Sequence, residues 1–241
     1  MTEKRISPQA RKRLIVTLDG ESLPQIADLI ETLKSEVKNF KIGLPLFTAF
    51  GPKVVDLVLK HDCHPFFDLK YHDIPSSVSR AVATATTMGA RMINVHAAGG
   101  QYMMSESIQA AREAAKRAGK PNPLMIGVTV LTSLQSLSDI GLQFELREQV
   151  LRLARMAKDA GMDGVLASPL EIRQIRQACG PDFLIVTPGI RLSHELQDDQ
   201  RRISSPREAV NAGADYIVVG RPISAAKDPL SIARQILKEM S

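Results

Sequence analysis

Eight times along this chain a short apolar run gives way to a stretch with helical periodicity, and that alternation constrains the fold more than any other feature. The runs fall at 14–18, 39–44, 66–69, 92–96, 124–130, 164–167, 183–187 and 215–219. They are continuous rather than alternating, the pattern of strands buried on both faces. Between them, Ser22 stands three residues before Gln25, a capping-box spacing. Ile26, Ile30, Leu33 and Val37 then follow the helical period. Further helices are expected after Pro52, after Pro75, and over 100–119, 144–160, 169–178 and 229–240. Three helix-to-strand joints are near copies: Met88-Gly89-Ala90, Ala160-Gly161-Met162 and Ala212-Gly213-Ala214. Glycine there supplies a left-handed helix cap. Pro65 fits only the start of the third strand, because a proline inside a central strand forfeits a ladder bond.

Eight such units in 241 residues predict an α/β fold, a (β/α)8 TIM barrel of eight parallel strands forming one domain over 1–241. A doubly wound open sheet is the alternative. It usually has fewer strands and a glycine-rich first turn, and Asp19-Gly20-Glu21 is not a dinucleotide fingerprint.

Composition narrows the functional classes. Tryptophan is absent and aromatic residues make up 4%, so the core must be aliphatic. Cys63 and Cys179 follow no metal-ligand spacing and suggest reduced thiols rather than a disulfide framework. No stretch approaches the roughly 20 apolar residues of a membrane span, and the basic N-terminus lacks a signal-peptide run. A soluble cytoplasmic protein with no membrane partner is expected. The net charge of +5 fits either nucleic acid or a small polyanionic ligand. The basic residues are scattered, however, and the one dense run, 4–13, suggests a solvated segment. Stacking aromatics are scarce, which argues against a nucleic-acid partner.

In a parallel barrel the reactive groups gather at the C-terminal ends of the strands. Those ends offer Asp19, Lys41, then Asp68, Lys70, His72 and Asp73, then His96, Thr132 and Ser133, and finally Arg191, Gly220 and Arg221. Alternation along the third strand puts Asp68 and Lys70 on one face and Leu69 toward the helices. With Lys41 beside them and Asp73 a short loop away, two cations and two anions form an array. An ion-pair network closing the barrel is the simpler alternative, but desolvating unused charges is costly. Arg191, Arg221 and the Gly220 amide occupy the usual phosphate position after strands seven and eight. The polar stretch 192–205 has the length of an active-site lid. His72 and His96 suggest a metal site only weakly, since Lys70 would repel the ion. Flanking carboxylates should keep Lys70 protonated, which suits an acid and disfavours a Schiff-base nucleophile.

Asp68-Leu-Lys70-Tyr-His-Asp73-Ile-Pro resembles the Asp-x-Lys-x-x-Asp signature of the orotidine 5′-phosphate decarboxylases. Thr17-Leu-Asp19, Lys41-Ile-Gly43, Val130-Leu-Thr132-Ser-Leu134, Thr187-Pro-Gly-Ile-Arg191 and Val219-Gly-Arg221-Pro222 extend the likeness in order along nearly the whole chain. One departure is visible: the family motif often continues Asn-Thr, where this chain has Ser76-Ser77. The resemblance implies decarboxylation of orotidine 5′-monophosphate (OMP) to uridine 5′-monophosphate (UMP), the last step of de novo pyrimidine biosynthesis, without metal or cofactor. By the same resemblance, Lys70 would protonate the pyrimidine carbon as carbon dioxide leaves. Asp68 would lie near the substrate carboxylate and hold Lys70, with Lys41 as its partner. Asp19 and Lys41 would touch the ribose, and Thr132 and Ser77 the ligand. Gln200, Gly220, Arg221 and Arg191 would hold the phosphate. Asp73 would reach into a second subunit, making a homodimer with shared sites. Related barrels that act on sugar phosphates with magnesium are the nearest alternative.

Overall fold

The computed structural model describes residues 5–192 and 202–241. Eight parallel strands close into a barrel in sequence order. They are β1 (Leu14–Thr17), β2 (Asn39–Gly43), β3 (His64–Tyr71), β4 (Met92–His96), β5 (Leu124–Val128), β6 (Gly164–Leu166), β7 (Leu184–Thr187) and β8 (Tyr216–Val219). β1 pairs with both β2 and β8, so no strand edge is left open.

Every strand except β2, whose Phe40 and Ile42 both face the helices, feeds apolar side chains to two cores. Val16, Phe40, Phe67 and Ile93 face the surrounding helices, while Ile15, Phe66, Met92, Ile126 and Val218 fill the barrel interior. This double burial is why the strands are continuous apolar runs in the sequence. The three repeated joints end helices as expected, with positive φ at Gly89 (104°), Gly161 (86°) and Gly213 (109°).

Several boundaries differ from the sequence expectation. Residues 8–13 are not a solvated segment but a helix, Pro8–Arg13, capped by Ser7 and held by the fully buried Ala10. Its arginines are tied down: Arg11 pairs with Glu36 at 2.7 Å, and Arg13 donates to the carbonyls of Ala214 and Asp215. After β2, helical structure starts at Leu44 rather than beyond Pro52, and Gly51 at φ +54° separates Leu44–Phe50 from Pro52–Lys60. β5 stops at Val128, two residues early.

β3 departs most, running from His64 to Tyr71 with Pro65 as its second residue. Phe67 pairs with Ile93, but the next partner of β4, Val95, meets Tyr71. Four residues of β3 therefore span two of β4, and the extra length bulges at the barrel mouth.

Candidate active site

The bulge has a cause in the backbone. Lys70 sits at φ +49°, a left-handed conformation that a lysine rarely adopts. Such strain costs about 1–3 kcal/mol and persists only where the surroundings enforce it. Here the enforcing contact is Asn94 on β4, whose side-chain oxygen accepts the Lys70 backbone N–H at 2.8 Å. The same Asn94 donates from Nδ2 to Asp68 Oδ1 at 2.6 Å. One buried amide thus fixes both residues.

Asp68 is the centre of the cluster and is 5% exposed. Its Oδ1 also accepts from Lys70 Nζ at 2.7 Å, and its Oδ2 lies 2.9 Å from Lys41 Nζ on β2. Burial alone would push the Asp68 carboxyl up, but Lys41 and Lys70 outweigh burial and hold it below the usual carboxylate range. Asp68 is therefore ionised at neutral pH, locked between two ammonium groups. Leu69 packs outward with the helix-facing core, as the alternation required.

Above the cluster opens a cavity of about 420 Å³. Its wall brings together Asp19, Lys41, Asp68, Lys70, Thr132, Arg191, Gly220 and Arg221, all singled out from the sequence. Leu166 and Val218 line it as well. Its charged lining comprises four cations, Lys41, Lys70, Arg191 and Arg221, against two carboxylates, Asp19 and Asp68, which suits an anionic ligand. Arg191 is set at the rim by an isolated bridge: its N–H donates to the Ser204 carbonyl at 3.0 Å, and the Ser204 N–H to that of Gly189 at 3.2 Å.

Two expected residues stand elsewhere, and a third is not among those described. Asp73 is exposed beyond β3, where its carboxylate accepts the Ile74 N–H at 2.6 Å, and it does not line this chain's cavity. Ser77 lies on the helix Pro75–Met88, beside a separate groove with Phe67 and Tyr71. Gln200 falls outside the described residues.

His72 and His96 stack with ring centroids 5.1 Å apart. Burial, then the neighbouring His72 and Lys70, push the His96 imidazole down to about 4, so it is neutral near pH 7. Among the described residues no group of three or more His, Cys, Asp or Glu side chains is arranged to hold a metal ion.

Two features escaped the sequence reading. Asn94 left a signal, a polar residue inside the apolar run 92–96. The ion pair of the nearly buried Arg202 with Glu171 left none, since its partners are 31 residues apart.

A closed parallel barrel with an acid–lysine cluster under a cationic mouth defines an enzyme of the (β/α)8 class, built to bind a small anionic substrate at its strand ends. Comparison with known proteins narrows this class. Residues 12–236 match the Orotidine 5′-phosphate decarboxylase / HUMPS family, and the chain belongs to that family. The orotidine 5′-phosphate decarboxylase of Trichlorobacter lovleyi is 47% identical over 234 residues, covering 96% of each chain. That of Moorella thermoacetica is 45% identical over 241 residues, covering 99% of this chain and 96% of its own. Among solved structures, the orotidine 5′-phosphate decarboxylase of Lactobacillus acidophilus superposes with a TM-score of 0.82 at 34% identity, covering 95% of this chain and 99% of its own. No helix among the described residues is long and apolar enough to cross a membrane.

Proposed function

We propose that this chain decarboxylates OMP to UMP, the closing step of de novo pyrimidine biosynthesis, in the cytoplasm and without metal or cofactor. The observation that carries the reading is the Asp68 carboxylate held between Lys41 and Lys70 at the floor of a cavity whose rim carries Arg191 and Arg221. Family membership supports it.

In this reading the phosphate is held by Arg191, Arg221 and the Gly220 amide, with Gln200 joining them. Arginine suits phosphate because its planar fork can bind two oxygens at once. Asp19 and Lys41 hold the ribose, and Thr132 contacts the ligand. Binding energy gathered at the phosphate holds the reacting carboxylate beside Asp68. The carbon–carbon bond then breaks, carbon dioxide leaves, and the electron pair stays on the pyrimidine carbon. Lys70 delivers a proton to that carbon and is reprotonated from water. A fixed ammonium stabilises the localised carbanion more than the delocalised carboxylate, and only such differential stabilisation raises the rate. Enzymes lower barriers by roughly 8–23 kcal/mol, and a carbanion with no adjacent carbonyl calls for the upper part of that range.

Asp73, exposed and absent from the wall of its own cavity, is assigned to the active site of a second subunit in a homodimer. The adjacent Ile74, a large apolar side chain 64% exposed, supports a covered face there.

The deciding assay uses protein dialysed against a chelator and follows OMP conversion to UMP. Turnover is expected. Activity restored only by magnesium would transfer the chain to the sugar-phosphate type of barrel. In Lys70→Ala, turnover should fall by about 10²–10⁴, the usual worth of a positioned acid, while UMP still binds. Retained turnover would remove Lys70 as the acid.

A further inference from the structure

The other end of the barrel carries a second charged cavity, and nothing in the reaction above uses it. It occupies about 520 Å³ at the N-terminal mouth, within the size range of small-molecule sites. Its cations come from the starts of successive strands: Lys12 before β1, Lys38 before β2 and Arg91 before β4, with His64 opening β3 between them. Adjacent strands lie about 4.8 Å apart, so these groups form an arc across four of them. The floor is apolar, made by Ile15, Phe66 and Met92 of the interior core with Tyr216 at one side.

The charge on this arc is poorly neutralised. No carboxylate lines the cavity. Arg11, also on its wall, is taken up by Glu36, and Lys38 has only the exposed Asp62 at 3.7 Å. Lys12 and Arg91 have no ion-pair partner among the described residues. The N-terminal face of such a barrel ordinarily serves stability. Clustered like charges work against that, because their mutual repulsion is relieved only by solvent or a counter-ion. His64 reports the same field, since burial and then the Arg91 charge push its imidazole below the usual range, with Lys38 adding to the effect against Asp62.

We propose that this mouth is a second ligand site, which takes a small organic polyphosphate of the nucleoside triphosphate class. The phosphates lie along Lys12, Lys38 and Arg91, and the ring packs on the partly exposed Leu124 and Tyr216 beside the Phe66–Met92 floor. Arginine and lysine on the rim supply charge-assisted hydrogen bonds, and the apolar floor distinguishes an organic ligand from a bare inorganic chain. This site does not depend on the function proposed for the upper cavity. The two are nonetheless close: Phe66 and Asp68 are alternate inward residues of β3, one side-chain layer apart.

The test is calorimetric titration with uridine triphosphate and, separately, inorganic tripolyphosphate, without divalent cations and with UMP present to occupy the upper cavity. The wild-type protein and the double variant Lys12→Gln/Arg91→Gln are compared. One uridine triphosphate per chain is expected, bound more tightly than tripolyphosphate, with affinity at least tenfold weaker in the variant. Because the variant alters only the lower mouth, that difference holds whatever the upper cavity binds. In parallel, the His64 imidazole resonances of wild-type protein should shift toward the protonated position during the titration. Absence of saturable binding, equal affinity in the variant, tripolyphosphate binding as tightly as the nucleotide, or unmoved His64 resonances would each overturn the proposal.

Discussion

Replacing Asn94 by alanine tests whether one buried amide sets the geometry of the catalytic cluster. Asn94 is fully buried and holds two contacts, the 2.6 Å donation to Asp68 and the 2.8 Å acceptance from the Lys70 backbone. The first is a hydrogen bond to a charged group, worth about 1.5–3 kcal/mol. The second supports a backbone conformation that costs about 1–3 kcal/mol to hold. Losing both should destabilise the fold by about 3 kcal/mol, because part of the strain is released when the bulge relaxes. For a chain of this size each kcal/mol moves the melting temperature by about 2–4 °C, so a drop of about 6–12 °C is expected. The kinetic effect should be larger than stability alone suggests. Once the bulge relaxes, the Lys70 ammonium loses its fixed position, and a displacement of about 1 Å can cost about 10² in rate. Thermal unfolding and steady-state OMP turnover on the same preparation measure both. The effect should fall on kcat with KM little changed, since the phosphate and ribose contacts are untouched. A variant that melts low but keeps kcat within threefold would show that Asn94 serves only stability and that Lys70 does not need the bulge.

Three further outcomes follow from the same geometry. Lys70→Ala and Asp73→Ala chains, each inactive alone, should recover about one quarter of wild-type activity when mixed equally, since half the dimers are mixed and each has one intact site; no recovery would leave Asp73 without its cross-subunit role. The Asp68 carboxyl is held below its unfolded value of about 3.9, so its stabilisation is complete above that pH and is lost as pH falls through the folded value. Urea unfolding across pH 2–7 should therefore show an acid-side loss that Asp68→Asn flattens, with the variant about 3–5 kcal/mol less stable at neutral pH because two lysines lose their partner; an unchanged acid slope would refute the linkage. Gly164→Ala should lower the melting temperature by several degrees, because the added methyl meets the Leu184 carbonyl across the β6–β7 pair. Overpacking of this kind costs about 1–3 kcal/mol, and an unshifted melting curve would mean the strands can part without penalty.

The sequence by itself determined the architecture and most of the cavity wall. Continuous apolar runs at regular spacing mean strands buried twice, and eight of them with glycine-ended helices leave few solutions besides a closed barrel. Strand ends are local, so residues just past an apolar run could be assigned to the mouth by position alone. Asp19, Lys41, Thr132, Arg191 and Arg221 all followed from that rule. Tertiary structure decided the rest. Simple alternation put Asp68 and Lys70 on one face, but their 2.7 Å contact comes with a left-handed Lys70 inside a bulge, enforced by a side chain from the next strand. Such a conformation is stable only through a contact 24 residues away, so no local pattern encodes it. The helix Pro8–Arg13 is similar: its basic sequence reads as solvated, and burial of Ala10 with pairing to Glu36 and the carbonyls of residues 214 and 215 holds it against the barrel. Periodicity is a property of neighbours along the chain, whereas strain and ion pairing depend on neighbours in space.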